Sequence, residues 1–135
     1  MKKVLAMTFL ASMLAMAPAR AEREELWRLW AKLKDASIIA QDDKETFLGK
    51  ITDKYDKESV FNENGLYGDK YSTKSIWNKN SMFGDPYSIY SPFNSITSKP
   101  PKIVKDGEII GYLTINKYIE DAITPDTLKA VLDQY

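Results

Sequence analysis

The sequence predicts an α+β domain. A small antiparallel sheet is formed from two β-hairpins, short turn-rich sixteen-residue repeats lie between them, and a helix stands at each end. Three observations carry this reading. A sixteen-residue motif recurs through the middle of the chain: Tyr55–Tyr71 reads YDKESVFNENGLYGDKY and Tyr71–Tyr87 reads YSTKSIWNKNSMFGDPY. Two segments that resemble each other, Ile38–Tyr55 and Ile103–Tyr118, flank that region. Apolar residues at helical spacing fall on either side of this block, in 22–34 and in 125–132.

The first residues read as a leader rather than as part of the fold. Lys2 and Lys3 precede an uncharged apolar stretch, Val4–Ala17, and Ala19-Arg20-Ala21 places small residues at the two positions a signal peptidase reads. Cleavage is expected between Ala21 and Glu22, giving a signal peptide over 1–21 and a single mature domain over 22–135. The stretch falls short of the roughly 20 apolar residues of a membrane span, so no stable span is expected after processing. Expected localisation is periplasmic or secreted. Removing Lys2, Lys3 and Arg20 from the 19 basic residues leaves 16 against 19 acidic ones. A general nucleic-acid-binding role is therefore disfavoured, since phosphate neutralisation needs a basic surplus or a dense basic patch. The chain has no cysteine and no histidine. It lacks disulfides, and it lacks both the commonest metal ligand and the usual general base near neutral pH.

In chain order, Leu26, Leu29, Trp30 and Leu33 share a helical face, with Trp27 at its edge and Glu22, Glu24 and Glu25 in the first turn, where they complement the dipole. This helix is read as docked on the core; the alternative is an exposed partner-binding helix. Asp106-Gly107 is a type I′ turn signal, and Asp42–Glu45 reads as a longer version of that loop. Each hairpin alone is marginal in water, so the two are expected to share one sheet of about four strands. Lys99-Pro100-Pro101 is read as a stiff link back to it. The last helix has Thr124 as N-cap, Pro125 at its first position, and Leu128, Val131 and Leu132 on its apolar face.

The repeat region, about 55–98, has the pattern Y-[DS]-x-x-S-[VIP]-[FW]-N. Each copy is expected to open with one helical turn capped by Asp56, Ser72 or Ser88. Val60-Phe61, Ile76-Trp77 and Pro92-Phe93 should point inward. Asn62, Asn78 and Asn94 are read as left-handed terminators, and Pro92 as the residue that ends the array. Aromatics at a fixed phase of a repeat are read first as core, because nothing else large is present to fill it. The alternative is a ligand platform made of Tyr67, Tyr71, Trp77, Phe83 and Tyr87.

Support for chemistry is thin. Asn62, Asn64 and Asp69 are oxygen donors in a Gly-containing loop, which suggests a calcium-stabilised structural protein as one alternative. The simpler reading is turn formation. Asp42-Asp43 is the nearest thing to a carboxylate pair and would be the basis of a second alternative, a small cell-wall or glycan hydrolase. No catalytic, cofactor or metal-ligating set is assigned, and no cofactor is expected. The leading expectation is a non-enzymatic binding or interaction module for an envelope or extracellular protein or glycan.

The run YDKESVFNENGLYGDKYSTKSIWN, followed by Pro100-Pro101-Lys102-Ile103-Val104 and the closing GYLTINKY, resembles a group of small exported bacterial proteins with the same repeat-then-hairpin layout. The resemblance covers about 38–118 and leaves the tryptophan-rich helix and the last helix outside it. It implies an exported protein and brings no functional residues with it.

Overall fold

The computed structural model describes residues 20–133; the leader expected over 1–21 lies almost wholly outside them. Two helices and a five-stranded mixed sheet make an α+β fold. The described chain opens in α1 (20–33), followed by β1 (Ser37–Ile39), β2 (Phe47–Lys50), β3 (Lys102–Lys105), β4 (Glu108–Leu113), β5 (Ala122–Ile123) and α2 (Pro125–Leu132). The sheet order is β2-β1-β3-β4-β5.

β1 is antiparallel to both β2 and β3, and β3 to β4. Strands separated in sequence by the whole repeat region therefore lie side by side. The expectation of a purely antiparallel sheet is corrected by β5, which pairs parallel with β4. Two residues bear too little side-chain pattern to announce a strand. Gly49 adopts φ 115°, and a Cβ there would stand 2.8 Å from Tyr67 Cβ, so glycine is required for the repeat region to close on β2. Between β3 and β4, Asp106 and Gly107 have φ 52° and 80°, the pair of positive values that a type I′ turn needs.

The helices are fixed by their apolar faces and their ends. In α1, Trp30 and Leu33 are buried and Leu26 and Leu29 pack against the same cluster, while Trp27 is 58% exposed. Asp35, at φ 67°, ends the helix, and Lys105 Nζ donates to the terminal carbonyls of Ala31 and Lys32. In α2 the Thr124 hydroxyl accepts from Thr127 N–H, and Pro125, Leu128 and Val131 are buried.

Residues 53–97 form neither helix nor strand but a coil of consecutive turns, which corrects the expected helical turn at the start of each copy. Backbone N–H groups donate to the carbonyl three residues back at 56, 59, 62 and 65, and then four back from Asp69 to Gly65. Four three-residue steps and one four-residue step make sixteen. The same sequence of bonds recurs from Asp69 to Asp85, and its three-residue steps continue to Thr97. Pro92 therefore does not terminate the coil. It occupies the buried position of Val60 and Ile76.

Side chains at the step positions hold each turn by accepting the N–H two residues ahead. Ser59, Ser75 and Ser91, all fully buried, accept from Phe61, Trp77 and Phe93 at 3.0–3.1 Å. Asn62, Asn78 and Asn94 bond in two directions. Each Oδ1 accepts from residue i+2, while each Nδ2 donates to the carbonyl six residues back, at Asp56, Ser72 and Ser88. None of these asparagines has positive φ, so the left-handed reading is also corrected. Among the described residues, a backbone wound this tightly pairs with a strand at one bridge only, Lys50 with Ser59. Local side chains must satisfy its polar groups instead. The four-residue step requires Gly68 and Gly84: a Cβ at either would lie 2.1 Å from the Asn62 or Asn78 carbonyl oxygen.

The coil runs from one side of the sheet to the other. At its start, Lys50 N–H donates to Glu58 O and Val60 N–H to Lys50 O, so the last residue of β2 is bridged to the coil. At its end, Ile115 N–H, just beyond β4, donates to Pro92 O, and Asn116 Nδ2 to Thr97 O. Val60, Phe61, Ile76 and Phe83 thereby join Ile38, Leu48, Ile103 and Leu113 of the strands and Leu128 and Val131 of α2 in one core. No buried side-chain polar atom among the described residues lacks a partner.

Candidate functional site

The step that begins each copy uses the same acceptor device and sets a tyrosine outward. Asp53, Asp69 and Asp85 each accept, through Oδ1, the N–H of the residue two ahead at 2.9 Å, and that residue is a tyrosine every time. Tyr55, Tyr71 and Tyr87 are 82%, 77% and 92% exposed. The same device recurs after β4, where Asn116 Oδ1 accepts from Tyr118 N–H at 3.1 Å and Tyr118 is 84% exposed. Lys54, Lys70 and Lys117 lie 5.4, 5.2 and 5.6 Å from the ring centroids of the tyrosines that follow them. Tyr87 is preceded by Pro86 and has no such neighbour in sequence. The aspartate turn fixes the backbone of each tyrosine and leaves its ring in solvent, so folding itself gives these positions no reason to be aromatic.

Beside Tyr71 lies a groove of about 1090 Å³, walled by the coil and α2. Phe61, Trp77 and Phe93, one from each copy at the same phase, line it, and Tyr71 stands at its margin. The Trp77 and Phe93 rings are 6.0 Å apart, and Trp77 Nε1 donates to Val60 O at 2.7 Å, so successive copies are in contact. From α2, Lys129 Nζ sits 4.4 Å above the Trp77 ring, a cation–π arrangement. Four carboxylates (Glu63, Asp69, Asp126, Asp133) and three ammonium groups (Lys70, Lys79, Lys129) share the rim. The site thus offers aromatic faces, donors and acceptors with almost no net charge.

The five aromatics considered as a platform do not form one surface. Tyr71 and Trp77 meet at the groove and Tyr87 stands exposed in the next copy. Phe83 is 7% exposed and belongs to the core. Tyr67 packs edge-on against Phe47, centroids 4.9 Å apart; burial pushes its phenol pKa up, and the nearby Glu58 charge adds to this. Sequence reasoning missed Tyr55, which shares the phase of Tyr71 and Tyr87, and it missed Lys129 and Asp126. Tyr55 was legible from the period. The α2 residues were not, because a charged helix face far along the chain carries no mark of what it is packed beside.

Of the three residues considered for calcium, two have an oxygen engaged in their own turns: Asn62 Oδ1 accepts from Asn64 N–H and Asp69 Oδ1 from Tyr71 N–H. Asp42 accepts from Thr46 N–H at 2.8 Å and from Thr46 Oγ1 at 2.6 Å. Partial burial raises its pKa, but those hydrogen bonds outweigh it and hold the carboxyl below its ordinary value. Ala21 and Glu22, the expected cleavage pair, are exposed residues of α1. Among the described residues no helix is long and apolar enough to cross a membrane.

No protein-family model, curated protein or solved structure matches this chain.

Proposed function

We propose that the protein is an exported, non-enzymatic binding module whose ligand is held by the coil, and that it belongs with the small exported bacterial proteins its repeats resemble. On this reading the sixteen-residue unit serves as a presenting element used three times. It buries an apolar residue at the same phase of each copy (Val60, Ile76, Pro92) and holds one tyrosine outward per copy. The supporting observation is the in-phase exposure of Tyr55, Tyr71 and Tyr87, the second of which lines the aromatic groove. Large aromatics left in solvent at a repeated position suit recognition, since they bring contact area at small entropic cost.

The test is an affinity capture from the native envelope, with the exported chain as bait, comparing wild type with Tyr71→Ala and Tyr87→Ala. Capture that depends on the tyrosines is expected. Identical capture by wild type and both variants would remove the reading.

A further inference from the structure

The six asparagines of the chain are not held alike. Asn62, Asn78, Asn94 and Asn116 are each tied through both side-chain polar atoms: Oδ1 accepts the N–H two residues ahead, and Nδ2 donates to a carbonyl earlier in the chain. Asn64 and Asn80 are exposed, and among the described residues their side chains make no hydrogen bond. Asn80 precedes Ser81, which is buried and bonded through its hydroxyl to Ser75 O and Phe83 N–H. Asn64 precedes Gly65, and no other asparagine in the sequence precedes a glycine. We infer that Asn64-Gly65 is a self-modification site, converting to isoaspartate and aspartate, and that the closed turn around it sets the rate.

The reaction needs only water. The Gly65 amide nitrogen, on losing its proton, attacks Asn64 Cγ; the new C–N bond forms as the Cγ–Nδ2 bond breaks, and ammonia leaves. Water then opens the five-membered imide at one of its two carbonyls and leaves a carboxylate. Glycine favours the attack because no Cβ hinders its nitrogen. The backbone does not demand glycine at this position, since Gly65 is not among the residues of positive φ. The same phase of the later copies holds Ser81 and Thr97, whose hydroxyls donate to Ser75 O and Ile89 O. Two contacts restrain the site. Gly65 N–H donates to Asn62 O at 2.9 Å, which holds the attacking nitrogen and its proton, and Asn64 N–H donates to Asn62 Oδ1 at 3.0 Å. Attack therefore waits on local opening of this turn rather than on global unfolding. The imide nitrogen carries no hydrogen and cannot return to Asn62 O. The isoaspartyl product has an extra main-chain methylene in a coil built from three-residue steps, so the turn does not reclose. A new carboxylate joins Glu63 and Asp69 on the groove that Asn64 lines. A coil that has once opened is thereby marked permanently.

The experiment incubates the purified exported chain in mildly alkaline buffer made with heavy-oxygen water, folded and in urea, and maps every asparagine by digestion and mass spectrometry. In the folded chain Asn64 is expected to be the first asparagine to take up label. In urea it should react at least about tenfold faster, because the turn no longer holds Gly65 N–H. Gly65→Ser, which places the second copy's residue at that phase, should slow the reaction in urea by about tenfold through its Cβ, a comparison that does not require the variant to fold. The isoaspartyl form, separated by anion exchange, should melt below the unreacted chain.

Equal rates in the folded chain and in urea, or another asparagine reacting ahead of Asn64, would overturn the inference. So would an Asn64 that is inert in urea, a Gly65→Ser chain that reacts there as fast as wild type, or an isoaspartyl form with the melting curve of the unreacted chain. None of these outcomes bears on the binding-module reading, which the capture experiment tests separately.

Discussion

Replacing Asn78 separates two explanations for the asparagine that follows each apolar pair. If asparagine were there to tolerate a left-handed backbone, glycine would serve at least as well. The structure assigns it another task. The Asn78 side chain, 8% exposed, donates Nδ2–H to Ser72 O at 2.9 Å and accepts Asn80 N–H at 3.0 Å. Asn78→Gly removes one of the two hydrogen bonds to the Ser72 carbonyl, which keeps the one from Ser75 N–H, and takes the side-chain acceptor from Asn80 N–H, at about 0.5–1.5 kcal/mol each. A loss of roughly 1–3 kcal/mol follows, a sizeable part of the 5–15 kcal/mol typical of a whole domain. At about 4 °C per kcal/mol for a domain of this size, the melting temperature should fall by about 4–12 °C. Asn80→Ala, on the exposed neighbour, should stay within about 0.5 kcal/mol. Thermal and urea unfolding followed by circular dichroism reads both. Wild-type stability in Asn78→Gly would refute the bridging role, and an equal loss in Asn80→Ala would show that the region is sensitive for some other reason.

Four further outcomes are expected. Gly84→Ala places a Cβ 2.1 Å from the Asn78 carbonyl oxygen and 2.7 Å from that of Ile76, both backbone atoms, and should cost about 1–3 kcal/mol or more in urea unfolding. Trp77→Ala removes a half-buried ring and its bond to Val60 O and should cost about 3 kcal/mol, whereas exposed Lys79→Ala should cost almost nothing; a Trp77→Ala variant of unchanged melting temperature would count against its packing role. Because the Asp42 carboxyl is held below its ordinary value, its contribution is present above the unfolded pKa, near 4, and is lost as pH falls through the lower folded value; Asp42→Asn should flatten that part of the acid unfolding curve. Mass spectrometry of the exported protein should find Glu22 as the first residue, and a species still carrying residues 1–21 would refute the cleavage site.

The sequence by itself determined what depends on near neighbours. Thr124 and Pro125 specify the start of α2 through a bond to the N–H three residues on. Asp106 and Gly107 specify a tight turn because both positions need positive φ. The serines, aspartates and asparagines of the coil hold turns through bonds to residues two ahead, so their sixteen-residue recurrence is visible without a fold. The conformation those turns add up to was not visible. The same residue types serve as helix caps, left-handed terminators or turn acceptors, and only the packed coil, whose polar groups are met mostly within its own turns, selects the last.

Tertiary structure alone decided which aromatics are core and which face solvent. Phe83 and Tyr87 lie four residues apart with similar side chains, yet one is buried and the other 92% exposed, because the four-residue step at Gly84 turns the chain between them. It also decided that α2 closes the groove and sets Lys129 over Trp77, a contact between residues fifty-two positions apart. Such contacts arise from the balance of burial over the whole core, and no local pattern of side chains records them.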